Sequence, residues 1–226
     1  MSDPRLLLTA LQQGDSFLPT GAVALSWGLE TLRAEGIVAT PAELDGFVDG
    51  QLEHRWASFD RVALVASHRA GEALHEVASI DRRVEACTFA REMREGSRRA
   101  GQALLALHAR LATPQASAYD GMVKAGAAPG HLAPAQGLLW RALGMDETTA
   151  LCVSAYSFAV ALQSAALRLG VIGHVHAQRA LARMRSKIAA LLATPVPPLA
   201  ELGAWAPQTD IASMRHEIAD ARLFAN

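Results

Sequence analysis

From Thr148 to Leu167 the chain reads TTALCVSAYSFAVALQSAAL, a stretch without a single charge, held between Asp146-Glu147 and Arg168. Apolar residues fall on every face of a helix drawn through it. Leu151, Ala155 and Leu162 share one side, and Cys152, Tyr156 and Val160 another. A helix apolar all round belongs either in a protein core or across a bilayer. The length suffices for a span, and a membrane-associated helical protein is one alternative reading. Against it, Ser154, Ser157, Gln163 and Ser164 interrupt the run, and Lys and Arg do not crowd one flank as an orientation signal requires. Alanine and serine also let neighbouring helices approach closely. The stretch therefore predicts a buried central helix enclosed by other helices.

The whole 226-residue chain is consistent with that core, being 51% hydrophobic but only 5% aromatic, so packing should rest on Ala, Leu and Val. Lys+Arg 21 against Asp+Glu 22 leaves a formal charge of -1, which excludes a whole-chain nucleic-acid footprint. All the cations but Lys124 and Lys187 are arginines. Cys87 and Cys152 both lie in apolar helical patterns, which predicts two buried thiols rather than a disulfide, with no C-x-x-C pair. The N-terminus, MSDPRLLLTALQQGD, lacks the apolar length and small-residue cleavage pattern of a signal peptide. A cytoplasmic setting is expected.

Along the chain the patterns are helical throughout. Pro4 opens a helix through Leu6, Leu7, Leu8 and Leu11 that stops at Gly14. After an ordered loop, Thr20 is read as capping a second helix with Val23, Leu25, Leu29 and Leu32, ended by Gly36. Gly21, Ala22, Ala24 and Gly28 predict close backbone approach on one of its faces. Thr40-Pro41-Ala42-Glu43 is a capping box with proline in the first turn, starting a helix that continues to about Arg69 before Gly71. Asp81 is read as the cap of a helix running through Val84, Cys87 and Met93 to Leu107, and the charged run Arg91–Arg99 as its solvated face. Thr113 to Pro134 is expected to be the longest loop region, with a short helical turn inside it. Pro195, Pro197 and Pro198 mark a linker. Asp210 is read as capping a last amphipathic helix with Ile211, Met214, Ile218 and Ala221 on one face. No period-2 strand pattern occurs. The fold class is all-α: a single-domain helical bundle over residues 1–226 around a buried central helix, with linker and C-terminal amphipathic tail from about residue 195.

Motifs for catalysis are lacking. No G-x-x-x-x-G-K-[ST] occurs. His174 and His176 are two apart, which on a helix points them to different sides, so they do not chelate one metal from one face. The serines sit in no nucleophile elbow. A helical enzyme with a buried polar site is the second alternative. The inventory suits a binding or scaffold protein whose tail docks in a partner's groove.

Three stretches carry a resemblance. Ser16-Phe17-Leu18-Pro19-Thr20-Gly21 followed by Ser26-Trp27-Gly28-Leu29-Glu30 matches the form S-x-x-x-P-x-G-x-x-x-x-S-x-G-L-E. Ser164-Ala165-Ala166-Leu167-Arg168-Leu169-Gly170 leads to Gly173 and Gln178-Arg179. Ile211-Ala212-Ser213-Met214-Arg215-His216-Glu217 precedes Arg222-Leu223-Phe224. Together, in this order, they resemble the urease accessory protein UreF family. The resemblance implies a dimer-forming, all-α protein without catalytic activity, cofactor or bound metal. It would bridge a UreD/UreH-type accessory protein and the GTPase UreG during nickel loading of apo-urease, with neither nucleic acid nor membrane as a partner. By that analogy partner contacts fall on Ser16, Pro19, Gly21, Ser26, Gly28 and Glu30, on Arg168, Gly173, His174 and Gln178, and on His216, Glu217, Arg222, Leu223 and Phe224. Glu30 and Arg168 would face the GTPase, and His216 to Phe224 the UreD/UreH-type partner.

Overall fold

The computed structural model describes residues 3–19, 21, 25–219 and 222–224, and among these every regular element is helical. Helix α1 spans Pro4–Gln13. Asp3 starts it by accepting from the Arg5 N–H, and Gly14 ends it, as expected. The expected second helix differs. Thr20, Ala22, Val23 and Ala24 lie outside the described residues, and residues 25–28 are not helical; α2 covers only Leu29–Ala34. Trp27 and Gly28 both have left-handed backbone, with φ of 56° and 77°, which no right-handed helix accommodates.

The capping box forms as written. Thr40 accepts from the Glu43 N–H while the Glu43 carboxylate takes the Ala39 and Thr40 N–H groups, which hold it below the usual carboxylate range. Helix α3, Pro41–Gln51, runs into a π-helical stretch, Leu52–Asp60, and then α4, Arg61–Ala70, before Gly71. The hydrophobic pattern predicts one helix here but not its widened middle.

Asp81 is not a cap. It sits inside α5, Leu74–Cys87, fully buried, and accepts from Tyr119 Oη (2.8 Å), the Gly130 N–H (2.7 Å) and the His131 N–H (3.0 Å). The helix expected to continue to Leu107 is divided, because the chain turns extended at Thr88 and restarts as α6, Arg91–Arg110. The expected loop of 113–134 holds a full helix, α7 (Ala116–Lys124), and the start of α8 (Leu132–Ala142). Asp81 ties α7 and the turn before α8 to α5, replacing the hydrogen bonds an irregular segment would otherwise seek in water. Helix α8 crosses α4 at Gly137, where a Cβ would lie 2.3 Å from the Leu64 carbonyl oxygen.

The uncharged stretch forms α9, Glu147–Arg168, with Asp146 accepting from the Thr149 N–H at its start. Leu151, Ala155, Phe158, Ala159, Leu162 and Ala166 are buried in the common core. The helix is long and apolar enough to cross a membrane, and more than half of it is covered by other helices. Burial is not complete, however. Cys152 and Tyr156 are exposed and Val160 half-buried, because α1 covers only part of that side. The two thiols are free, but neither is buried: Cys87 is half-buried and Cys152 open.

Helix α10, His174–Ala193, lies along α9 and is ended by the buried Arg61 side chain, which donates to the carbonyls of Leu191 and Thr194. A ladder joins α10 to α3 and the π segment: His176 and Arg183 meet Asp45, and Lys187 meets Asp49 and Glu53. The proline segment follows the body, with a 3-10 turn at Leu199–Glu201. Its Gly203 and Trp205 N–H groups donate to the Ser58 and His54 carbonyls of the π stretch. The last helix, α11, spans Pro207–His216. Asp210 lies within it rather than at its cap, which falls at Ala206 behind Pro207. Its expected apolar face points outward at Ile211 and Met214, 50% and 45% exposed, while Thr209, Ala212, Ser213 and His216 pack inward; Ile218, 84% exposed, lies in the turn beyond the end of the helix. Ala221 lies outside the described residues.

Candidate functional site: a two-carboxylate clamp on the C-terminal tail

The site begins with small residues. At Gly28 the backbone passes so close to α11 that a Cβ would lie 3.0 Å from the Thr209 carbonyl oxygen and 3.2 Å from Ala212 Cβ. The left-handed turn there sets the start of α2 and puts Glu30 in its first turn. Opposite, the break at Thr88–Ala90 places Glu92 in the first turn of α6, buried. Carboxylates are favoured at such positions by the unpaired N–H groups of a helix start.

His216, on the last turn of α11 and 1% exposed, sits between the two acids. Its Nδ1 lies 2.7 Å from Glu92 Oε2 and its Nε2 3.0 Å from Glu30 Oε2. The remaining capacity of both carboxylates goes to the tail. Arg222 donates to Glu92 Oε1 (2.9 Å), and the N–H groups of Leu223 and Phe224 donate to Glu30 Oε1 and Oε2 (2.7 and 3.0 Å). Arg168, at the end of α9, lies over the buried Phe224 ring at 4.1 Å. Glu217 pairs with Arg91 (2.9 Å), and Arg215 with Glu35 (3.0 Å).

Nearer the π stretch, Gln51 donates to Thr209 Oγ1 (2.6 Å). The buried Arg55 is paired with Asp60 (3.1 Å) and lies over the Phe59 and Trp27 rings at 4.3 and 5.4 Å. Burial pushes the neighbouring Asp210 carboxyl above its ordinary range, opposed by the charge of Arg55.

Chemically this arrangement binds. Both ring nitrogens of His216 and both oxygens of each carboxylate are engaged by protein groups, and what they hold is a polypeptide segment. No group of three or more His, Cys, Asp or Glu side chains able to hold a metal occurs among the described residues.

Of the residues singled out by sequence, the structure brings together Gly28, Glu30, Arg168, His216, Arg222, Leu223 and Phe224, with Glu217 at the edge. Ser26 is fully buried just before the turn. Ser16, Pro19 and Gly21 lie apart on the segment after α1, exposed, and Gly173, His174 and Gln178 are exposed at the start of α10. Sequence reasoning missed Glu92, hidden in a run read as a solvated face, and also Gln51, Arg55 and Asp81. The one available signal for Glu92 was its place beside Met93 at the start of an apolar period, where an acid on the inner side of a first turn needs a partner.

The fold and the clamp together define a class: an all-α protein whose most elaborate polar site grips polypeptide, here its own C-terminal segment. A family model described as UreF matches residues 38–185. The chain is 32% identical to the urease accessory protein UreF of Trichodesmium erythraeum (strain IMS101), over 100% of this chain and 99% of that one. It is 34% identical to that of Kocuria rhizophila, covering 99% of each, and 32% identical to that of Paenarthrobacter aurescens, covering 95% and 96%. The chain belongs to the UreF family of urease accessory proteins, and with that membership goes a role in urease maturation.

Proposed function

We propose that the protein is a non-catalytic, cytoplasmic scaffold that links a UreD/UreH-type accessory protein to the GTPase UreG for GTP-dependent nickel insertion into apo-urease. The observation that carries this reading is the orientation of α11. The clamp uses the polar and small side of that helix, while Ile211 and Met214 stand outward on it and Ile218 is exposed in the turn just beyond, an apolar row that fits a partner's groove. Exposed large apolar residues at i, i+3 and i+7 are what a helix-binding partner would cover. Glu30 and Arg168, the residues assigned to the GTPase, touch the same tail through His216, Leu223 and Phe224. A partner seated on α11 would thereby change what the GTPase meets, and any effect on GTP hydrolysis would act by population shift of its switch regions. The exposed Gly173, His174 and Gln178 at the start of α10 would extend the GTPase-facing surface. Ser16, Pro19 and Gly21 would extend the contact from the other side.

The test is a pull-down with and without the last twenty residues, 207–226. Loss of the UreD/UreH-type protein on truncation, with the far-ultraviolet helical signal retained, is the expected result. Unchanged capture would remove the tail from the mechanism.

A further inference from the structure

Beneath the segment that follows α1, a partly enclosed cavity of about 120 Å³ opens between α1, the π stretch, α8 and α9. Three tryptophans, Trp27, Trp56 and Trp140, wall it together with Phe158. For comparison, an apolar cavity of about 150 Å³ in a helical protein stays dry and takes up benzene. This one differs in carrying a polar handle. The Ser157 Oγ on its wall is buried and has no hydrogen-bond partner among the described residues, and Gln136 also faces the space. A buried hydroxyl left without a partner is costly, so a native structure that keeps one invites a ligand or water to satisfy it. Asp60, also at the wall, is engaged by Arg55, and a desolvated anion beside it would be disfavoured.

We propose that this cavity is a binding site for a small, neutral, single-ring aromatic molecule bearing one hydroxyl or N–H group, with the ring among the tryptophans and the polar group on Ser157. Aromatic walls reward a ring through offset and edge-to-face contacts as well as by burial. This goes beyond the scaffold reading: the cavity shares Ser16, Gly21 and Trp27 with the surfaces described above, but Glu30, Glu92, His216 and the tail do not line it, and capture of accessory proteins is not its readout.

The experiment is calorimetric titration of the full-length protein with phenol and, separately, benzene at neutral pH. Phenol should bind with a Kd of about 1 mM or tighter, and benzene about tenfold more weakly, the ratio one hydrogen bond supplies. S157A should bring the two ligands to equal affinity. A161F, which fills the space from α9, should abolish both heats while circular dichroism stays helical. Should that variant lose its helical signal, A133L fills the same space from α8 and is read in its place. No heat with either ligand at concentrations of about 10 mM, binding that survives the filled cavity, or a phenol preference unmoved by S157A would overturn the proposal.

Discussion

At the scale of single residues, His108 shows how a buried polar group is made acceptable. Its ring is 1% exposed, with Nδ1 2.9 Å from Thr113 Oγ1 and Nε2 3.1 Å from Gln13 Oε1. A neutral ring serves both: Nε2–H donates to the amide oxygen, and Nδ1 accepts the hydroxyl. Burial pushes the imidazole below its ordinary value of 6.5, with no acid beside it to pull it back. The folded state then binds fewer protons than the unfolded one, so stability is present above pH 6.5 and is lost as pH falls below it, with a limiting slope of about 1.4 kcal/mol per pH unit. Burial also lowers the buried His131, beside Asp81 and Glu85, so urea unfolding between pH 7.5 and 5 (roughly the span where an imidazole titrates) should fall with pH through both rings, and the H108Q difference isolates the part due to His108. In H108Q, which takes up no proton, the difference from wild type should shrink as the pH falls. Gly28 gives a second residue-scale test. With φ at 77° and the Thr209 carbonyl 3.0 Å from where a Cβ would stand, G28A should lower stability by about 1–3 kcal/mol, read from the shift of the urea midpoint. What a sequence discloses at this scale depends on distance along the chain. Thr40 and Glu43 satisfy each other three residues apart and were legible. Asp81 draws its partners from 38, 49 and 50 residues away, so its side chain read as a helix cap when it is a buried anchor.

At the scale of elements, hydrophobic period located most helices, and where it misjudged them the reasons are physical. Over Leu52–Asp60 the change from α to π alters the hydrogen-bond register and leaves an apolar pattern that fits both. In 113–134 the glycine, proline and alanine content argued for loop, yet α7 forms because Asp81 and the α6 surface hold it. In α11 the apolar stripe was legible, but the polar side by which the helix packs on its own body was not. Burial of the apolar stripe is the default when a helix must pack on its own chain, but here His216, Thr209 and Gln51 fix the opposite side inward. The docking of α11 therefore depends on polar contacts. H216A leaves Glu30 and Glu92 facing each other with no ring between them, and removing one partner of a buried charged cluster is strongly destabilising locally. Hydrogen exchange should show the amides of 209–216 losing protection by at least about tenfold, while those of α9 stay unchanged. Equal protection of α11 in H216A and wild type would mean the clamp does not hold the tail.

For the molecule as a whole, the fold class and the central helix could be read from composition and one uncharged stretch, but the completeness of its cover could not. A periodic pattern reports that a face is apolar, and it does not say whether this chain or another one covers it. On α9, Cys152 and Tyr156 stay open, and beside them α1 presents Leu7, Leu8 and Leu11 at 57%, 65% and 62% exposure. The two helices pack against each other, and a Cβ at Gly14, just past α1, would lie 3.5 Å from Val153 Cγ1 of α9, so both helices carry open apolar residues on either side of one contact. Large exposed apolar patches mark interaction sites. A second copy is the simplest cover, because a two-fold axis through the patch buries the same leucines on both chains at once. The homodimer implied by the family resemblance would then place this face at its centre. Y156D and L8D each put a charge into that centre, where desolvation without a partner is costly. Light scattering should give a mass of twice 24.0 kDa for the parent chain and 24.0 kDa for either variant, with helical content unchanged. If both variants keep the doubled mass, the copies meet through another surface, and the α1–α9 face is left to one of the accessory partners.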